Sequence, residues 1–210
     1  TIATMNVITH LLADWTLAVP TQRSRRDRAL VAWAGVAPDL DGLGVVVDFA
    51  TRVLHFPETN YYQEFHRMYG HGLPAALVIT AVAAALAGRR VSVFAWSLVA
   101  VHVHFLGDIL GSRGTGAEDI WPIRYLAPFS QAWTVEWTGQ WPLISWQNTT
   151  ITLTLIIVAL ALALKYRVTP CELFSVRADR KVVDALVGRW NSATSSRRSQ
   201  EARPREQGPA

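Results

Sequence analysis

The chain is poor in sulfur and poor in charge. Its 210 residues include a single cysteine, Cys171, and two methionines. One thiol excludes an internal disulfide and any zinc site built from several thiolates, so a bound metal has to be held by histidines and carboxylates. Charged residues make up 17% of the chain, while half of the residues are apolar and nine are tryptophan. Because an ordinary soluble domain carries about 25% charged residues, this balance points toward lipid. The basic tail over 197–205 has no aromatic residues between its arginines, so it lacks the stacking platform of a single-strand binder, and no nucleic-acid partner is expected. The first apolar stretch lacks a basic start and carries His10 and Asp14, which argues against a cleavable signal peptide. No internal repeat is visible, and the length calls for one folded unit.

Uncharged runs occupy 72–88 and 91–107, and a longer one covers 137–164, of which 149–164 is the apolar part. Each predicts a helix. Sixteen or seventeen helical residues rise about 24 to 26 Å, slightly short of the roughly 30 Å hydrocarbon layer, so these read as minimal spans. A mean hydropathy of +0.18 keeps a buried soluble core as the alternative. Basic residues favour the membrane, because they fall at alternate helix ends. A first helix over 5–20 leads to the Arg-rich segment at 23–28, and 29–36 returns toward PDLDG. The helix over 73–87 ends at Arg89 and Arg90, 91–110 returns with His104 and Asp108 near its far end, and 149–164 runs to Lys165 and Arg167. All basic loops then share one side, which the positive-inside rule makes cytoplasmic. The short 29–36 segment is the weakest link in that chain of helices.

The Trp-rich segment 111–146, with two Trp-Pro pairs, reads as a loop or short interfacial helices with tryptophans at headgroup level. Past Arg167 the chain turns polar. The organisation expected is therefore a helical membrane domain over 1–167, an amphipathic helix within 168–190, and a disordered basic tail over 191–210.

Four stretches, THLLAD, PDLDG, HRMYGHG and HVHFLGD, hold five of the six histidines and four aspartates. Imidazole and carboxylate together suit zinc or a similar divalent ion. His104 and Asp108 stand four apart on one helix face and can reach one ion; ionisable groups at membrane depth are costly and usually serve a site. His102 lies about 200° away around the helix and reads as structural. His10 and Asp14 repeat the four-residue spacing, with His10 as ligand and Asp14 orienting its ring. In PDLDG the proline and glycine place Asp39 and Asp41 at a helix junction, as N-cap turn or as bridging carboxylates. In HRMYGHG, Gly70 and Gly72 break the helix so that His71 turns back beside His66; a plain helix C-cap is the rival reading. His55 reads as surface. Asp41 or Glu64 is the carboxylate expected to take a proton, with Glu118 and Asp119 as spares. Arg113, in a glycine-flanked turn, either holds a phosphate oxygen or is an exposed turn arginine.

Taken in order, MNVITH, GVAPDLDG, HRMYGHG, HFLGD and WPI resemble the YdjM family of inner-membrane-associated metal-dependent hydrolases, also named LexA-binding hydrolase-like, over about residues 5–121. That family is distantly similar to zinc-dependent phospholipases C and single-strand nucleases, which are all-helical and cleave phosphodiesters. The resemblance implies a metal site using His10, an aspartate of the Asp39–Asp41 pair, His66, His71, His104 and Asp108. The family string HRGxTHS is replaced here by HRMYGHG, with Gly72 at the serine position. The expectation is an all-α, multi-helix membrane-embedded bundle with a His/Asp metal cluster at one end, in the inner membrane. It would hold one to three divalent ions, zinc first, and hydrolyse a small-molecule or lipid phosphoester through an activated water, with membrane lipid as its surroundings. Two alternatives stand beside it: a non-catalytic cluster that binds metal or fixes helix packing, and an interaction protein acting through its cytoplasmic tail on a partner the sequence does not name.

Overall fold

The hydroxyl of Ser24 accepts a hydrogen bond from the Asp27 backbone N–H at 3.0 Å, the N-cap that starts helix α2 (Arg25–Val36) directly after helix α1 (Val7–Thr21). So short a connection makes the two helices antiparallel neighbours. The computed structural model describes residues 7–66 and 68–201 and separates between Ala159 and Leu160 into two compact units.

In the first unit, α1 and α2 pack with a second antiparallel pair, α5 (Leu73–Leu86) and α6 (Arg90–Gly111). The buried Asp27 carboxylate ties the pairs together, accepting from the backbone N–H groups of Gly88 at 2.9 Å and Arg89 at 3.2 Å, while the Gln22 amide donates to Ser92 at 3.1 Å. The two Arg-rich connections thus meet at one end, as the charge pattern requires. Between the helices lie Ala18, Val31, Ala34, Ala83, Val93 and Ala100, all buried; the alanines let backbones approach closely, as small residues do between helices in lipid. The outward faces are apolar too, with Leu77, Val78 and Val82 exposed on α5 and Val99, Val103 and Leu106 on α6. Such a surface fits hydrocarbon rather than water.

Among the described residues, three helical runs are long and apolar enough to cross a membrane: Arg25–Val53, Arg90–Gly111 and Trp146–Tyr166. The last is helix α7. At 22 and 21 residues, α6 and α7 rise about 33 and 31 Å, a full hydrocarbon layer. The minimal spans read from 91–107 and 149–164 are too short, because helix continues through the polar residues at their ends, whereas the helix expected over 73–87 stops at Leu86. The 29–36 segment also needs correction. Past Val36 the helical path continues as a 3₁₀ stretch (Ala37–Leu43) and helix α3 (Gly44–Val53). Pro38 sits in the first positions of that stretch, where its missing N–H removes no bond, so it ends α2 without ending the run. Helix α4 (Tyr61–Phe65) is capped by Asp48, whose carboxylate accepts from Thr59 Oγ1, Tyr61 N and Tyr62 N at 2.7 to 2.8 Å.

Residues 112–145 hold no helix; two short strands, β1 (Ile123–Arg124) and β2 (Thr134–Val135), pair antiparallel. Prolines at 122, 128 and 142 deny this segment the interfacial helices considered from sequence. Side-chain amides hold it to the end of α6, whose last carbonyls lack helical donors. Buried Gln140 donates to Asp108 O at 2.8 Å and accepts from Trp121 N at 2.9 Å. Asn148 donates to Gly111 O at 2.8 Å.

In the second unit, Asp179 accepts from Thr169 N and Oγ1, both at 2.7 Å, holding a 3₁₀ turn (Pro170–Leu173) against helix α8 (Val176–Glu201). The sequence places that helix at 172–190 and disorder from 191. The helix instead starts at Val176 and continues to Glu201, because the Ser- and Arg-rich stretch contains no breaker before Pro204; within it Ser192 and Thr194 turn their hydroxyls back onto Gly188 O and Trp190 O at 3.0 and 2.9 Å. Residues 202–210 of the expected tail lie outside the described residues.

Candidate metal centre

Antiparallel packing fixes where the four motifs meet. His10 lies in the first turn of α1, Asp39 and Asp41 in the 3₁₀ stretch after α2, His71 just before α5, and His104 and Asp108 in the last turns of α6. All belong to the end opposite Asp27 and the Gly88 turn. On α6, His104 Nε2 stands 3.4 Å from Asp108 Oδ2, one helical turn on. His71 Nε2 reaches both, at 3.2 Å from His104 Nε2 and 3.2 Å from Asp108 Oδ2. Asp39 Oδ1 is 3.5 Å from His104 Nε2, and His10 Nε2 is 3.6 Å from Asp108 Oδ1, its ring stacked on His104 with centroids 3.9 Å apart. Among the described residues two groups that could hold a metal ion result, His10–Asp39–His104 and His71–His104–Asp108, sharing His104.

These separations fit a metal. A tetrahedral zinc with bonds of about 2.0 to 2.1 Å has ligand–ligand edges of about 3.3 Å, and the His71–His104–Asp108 triangle has edges of 3.2, 3.2 and 3.4 Å. The buried atoms also lack donors: His10 Nε2 and Asp39 Oδ2 have no hydrogen-bond partner among the described residues. Buried carboxylates are costly unless a positive charge meets them. Burial pulls the His71 imidazole down, yet its hydrogen bonds to Asp108 and Asp41 and their charges outweigh burial and raise it to about 9.

Asp41 organises rather than crowds the cluster. Its Oδ1 meets His66 Nδ1 at 2.9 Å, and its Oδ2 meets His71 Nδ1 at 3.1 Å and the Gly70 N–H at 2.8 Å. A carboxylate on Nδ1 fixes each ring so that Nε2 points away, the arrangement that orients metal-binding imidazoles. His71 turns its Nε2 into the cluster. His66 stands beside His71, ring centroids 5.5 Å apart, as the two glycines suggest, but it joins neither ligand group; its buried Nε2 has no partner among the described residues. It lines a cleft of about 210 Å³ with Tyr62, Asp119, Ile120, Trp121, Pro122 and Arg124.

Other expectations fare differently. Asp14 is buried, but neither of its oxygens accepts a hydrogen bond among the described residues, so it does not orient His10; its carboxylate fills the space above Gly35, where a Cβ would stand 2.0 Å from Oδ2. His102 donates from Nδ1 to Leu98 O at 2.7 Å and pairs Nε2 with the Tyr125 hydroxyl at 2.9 Å, away from the cluster. Glu64 and His55 are exposed. Arg113 is bonded through its backbone to Trp141 and Leu143, and it is not among the residues lining the cleft. Sequence reasoning misses Gln140, Asp48 and Arg124. The first two act on backbone distant in sequence and leave no local signal; the third follows WPI as a lone basic residue and could have been singled out.

No curated protein and no solved structure matches this chain. The model of the YdjM inner membrane protein family matches residues 3–178, and the chain belongs to that family.

Proposed function

We propose that this membrane protein is a metal-dependent hydrolase of phosphoesters, with one to three divalent ions, zinc first, held by His10, Asp39, His71, His104 and Asp108. The observation that carries the reading is the His71–His104–Asp108 triangle, whose edges match those around a tetrahedral ion. A bound ion would polarise a phosphoryl oxygen and bring the pKa of a coordinated water to about 7. The chain's own part is to hold three Nε2 lone pairs and two carboxylates together in a buried pocket, and to fix His71 through Asp41. Of the two carboxylates suggested as proton acceptor, Asp41 lies in the frame of the cluster, whereas Glu64 is exposed on α4.

The test is a turnover assay on the full chain purified in detergent, with bis-nitrophenyl phosphate and with phospholipid. Hydrolysis is expected to vanish with a chelator and return with zinc. Metal without turnover would favour the second reading, a cluster that binds metal or clasps the ends of α1, α2, α5 and α6, for which the convergence of those helices on one His/Asp group speaks equally.

The positive-inside rule, applied to the connections around Arg25 and Arg89, puts these loops in the cytoplasm and the metal cluster on the opposite side. A reporter fused after Arg90 is expected to read cytoplasmic; a periplasmic signal would reverse this orientation.

A further inference from the structure

The cleft beside the cluster is lined by His66, which joins neither group that could hold an ion. His66 is buried, its side chain 2% exposed, its Nδ1 is anchored on Asp41, and its Nε2 has no partner among the described residues. Because Asp41 also holds His71, a single carboxylate separates this cleft from the ligand triangle. The cation in the lining is Arg124. Its backbone is held by pairing of β1 with β2, Arg124 opposite Thr134, and its guanidinium has no hydrogen bond or ion pair among the described residues. A guanidinium without a partner in the same lining can donate to a phosphate oxygen, and the free Nε2 lone pair of His66 can accept from a hydroxyl beside it.

We propose that this cleft is the headgroup subsite of the hydrolase, with Arg124 as the residue that pairs the phosphate of a small phosphoester; the assignment rests on the hydrolase reading above. Asp119 in the same lining sets the class more narrowly. Its carboxylate opposes a second negative charge and suits a hydroxyl or ammonium on the same headgroup, so a phosphate carrying a short polar arm is favoured over a polyphosphate. The volume agrees, since 210 Å³ is below the roughly 300 to 1,000 Å³ of pockets that enclose drug-sized ligands.

The experiment is titration calorimetry on the full chain in detergent, with and without zinc, using glycerol phosphate as the soluble probe and dihexanoyl-phosphatidylglycerol as the lipid probe. Arg124→Ala is expected to weaken binding roughly tenfold or more, the size of a lost hydrogen bond to a charged group, while Arg90→Ala, at the opposite end of α6, changes it less than twofold and neither changes metal content. Binding of the lipid alone keeps the subsite and names a lipid source; binding of both names the headgroup itself. Absence of binding by either probe, or binding indifferent to Arg124, overturns the proposal. Arg124-dependent binding in a protein that takes up no zinc would sustain the subsite and remove the hydrolase reading, so the two failures are distinguishable.

Discussion

His104→Ala is expected to empty the metal centre, lowering zinc affinity by more than about a hundredfold. Loss of a residue that merely supports a ligand costs roughly 10- to 100-fold in affinity, and His104 belongs to both groups that could hold an ion. Its Nε2 lies within 3.5 Å of His71, Asp108 and Asp39, and its ring is the surface on which His10 stacks. Removing it deletes one donor and frees two others. The same ring is fully buried, so the variant also loses stability, about 2 to 4 kcal/mol for a large-to-small change in a core. His102→Ala is the control, two residues away and bonded to Leu98 and Tyr125 instead; it should keep its metal. Elemental analysis of both variants, taken from the monodisperse fraction of a sizing column, decides the matter. Folded His104→Ala with wild-type metal would contradict the assignment.

Gly70→Ala should be nearly as damaging although it touches no proposed ligand atom. A Cβ at residue 70 would stand 2.2 Å from the carbonyl oxygen of Pro38 and 2.9 Å from Asp41 Oδ2. A backbone carbonyl has no rotamer by which to step aside, so the HRMYGHG loop and the 3₁₀ stretch must separate. Overpacking of this kind costs about 1 to 3 kcal/mol. Here the parts driven apart carry Asp39 and Asp41 on one side and His66 and His71 on the other, and the hydrogen bond from Gly70 N to Asp41 is lost with the separation. Melting temperature and zinc content should fall together. Gly188→Ala, on α8 with nothing within 4 Å of the new Cβ, should be neutral or stabilise by up to about 1 kcal/mol, as glycine-to-alanine changes in exposed helix do. Equal behaviour of the two variants would mean that the loops do not meet as described.

Much of this centre is legible in the sequence because its determinants are local. Spacing alone puts His104 and Asp108 on one helix face, glycines at 70 and 72 announce the loop that returns His71 toward His66, and the alternation of basic residues along the helices sends PDLDG and the histidines to a common end. The contacts that refine the site are not local. Asp41 shares its two oxygens between imidazoles 25 and 30 residues away, so nothing near PDLDG distinguishes a ligand from a carboxylate that orients two rings. Helix α3 is hidden for another reason. Its GVVVDFATRV sequence opens with a glycine and three β-branched valines, all of poor helix propensity, and helix forms there because the 3₁₀ stretch hands it a path already wound. The helix over 191–201 escapes a compositional reading because polar composition argues for disorder only where no neighbouring helix is available to extend.

The central claim is that helix packing gathers imidazoles and carboxylates from four segments around a divalent ion. X-ray absorption at the zinc edge, on the full chain purified without chelators, tests it most directly. The account predicts at least one zinc per chain with nitrogen and oxygen neighbours at about 2.0 to 2.1 Å and the outer-ring scattering of two or more imidazoles. Protein that carries no metal after exposure to zinc, or whose zinc shows no imidazole scattering, would contradict it.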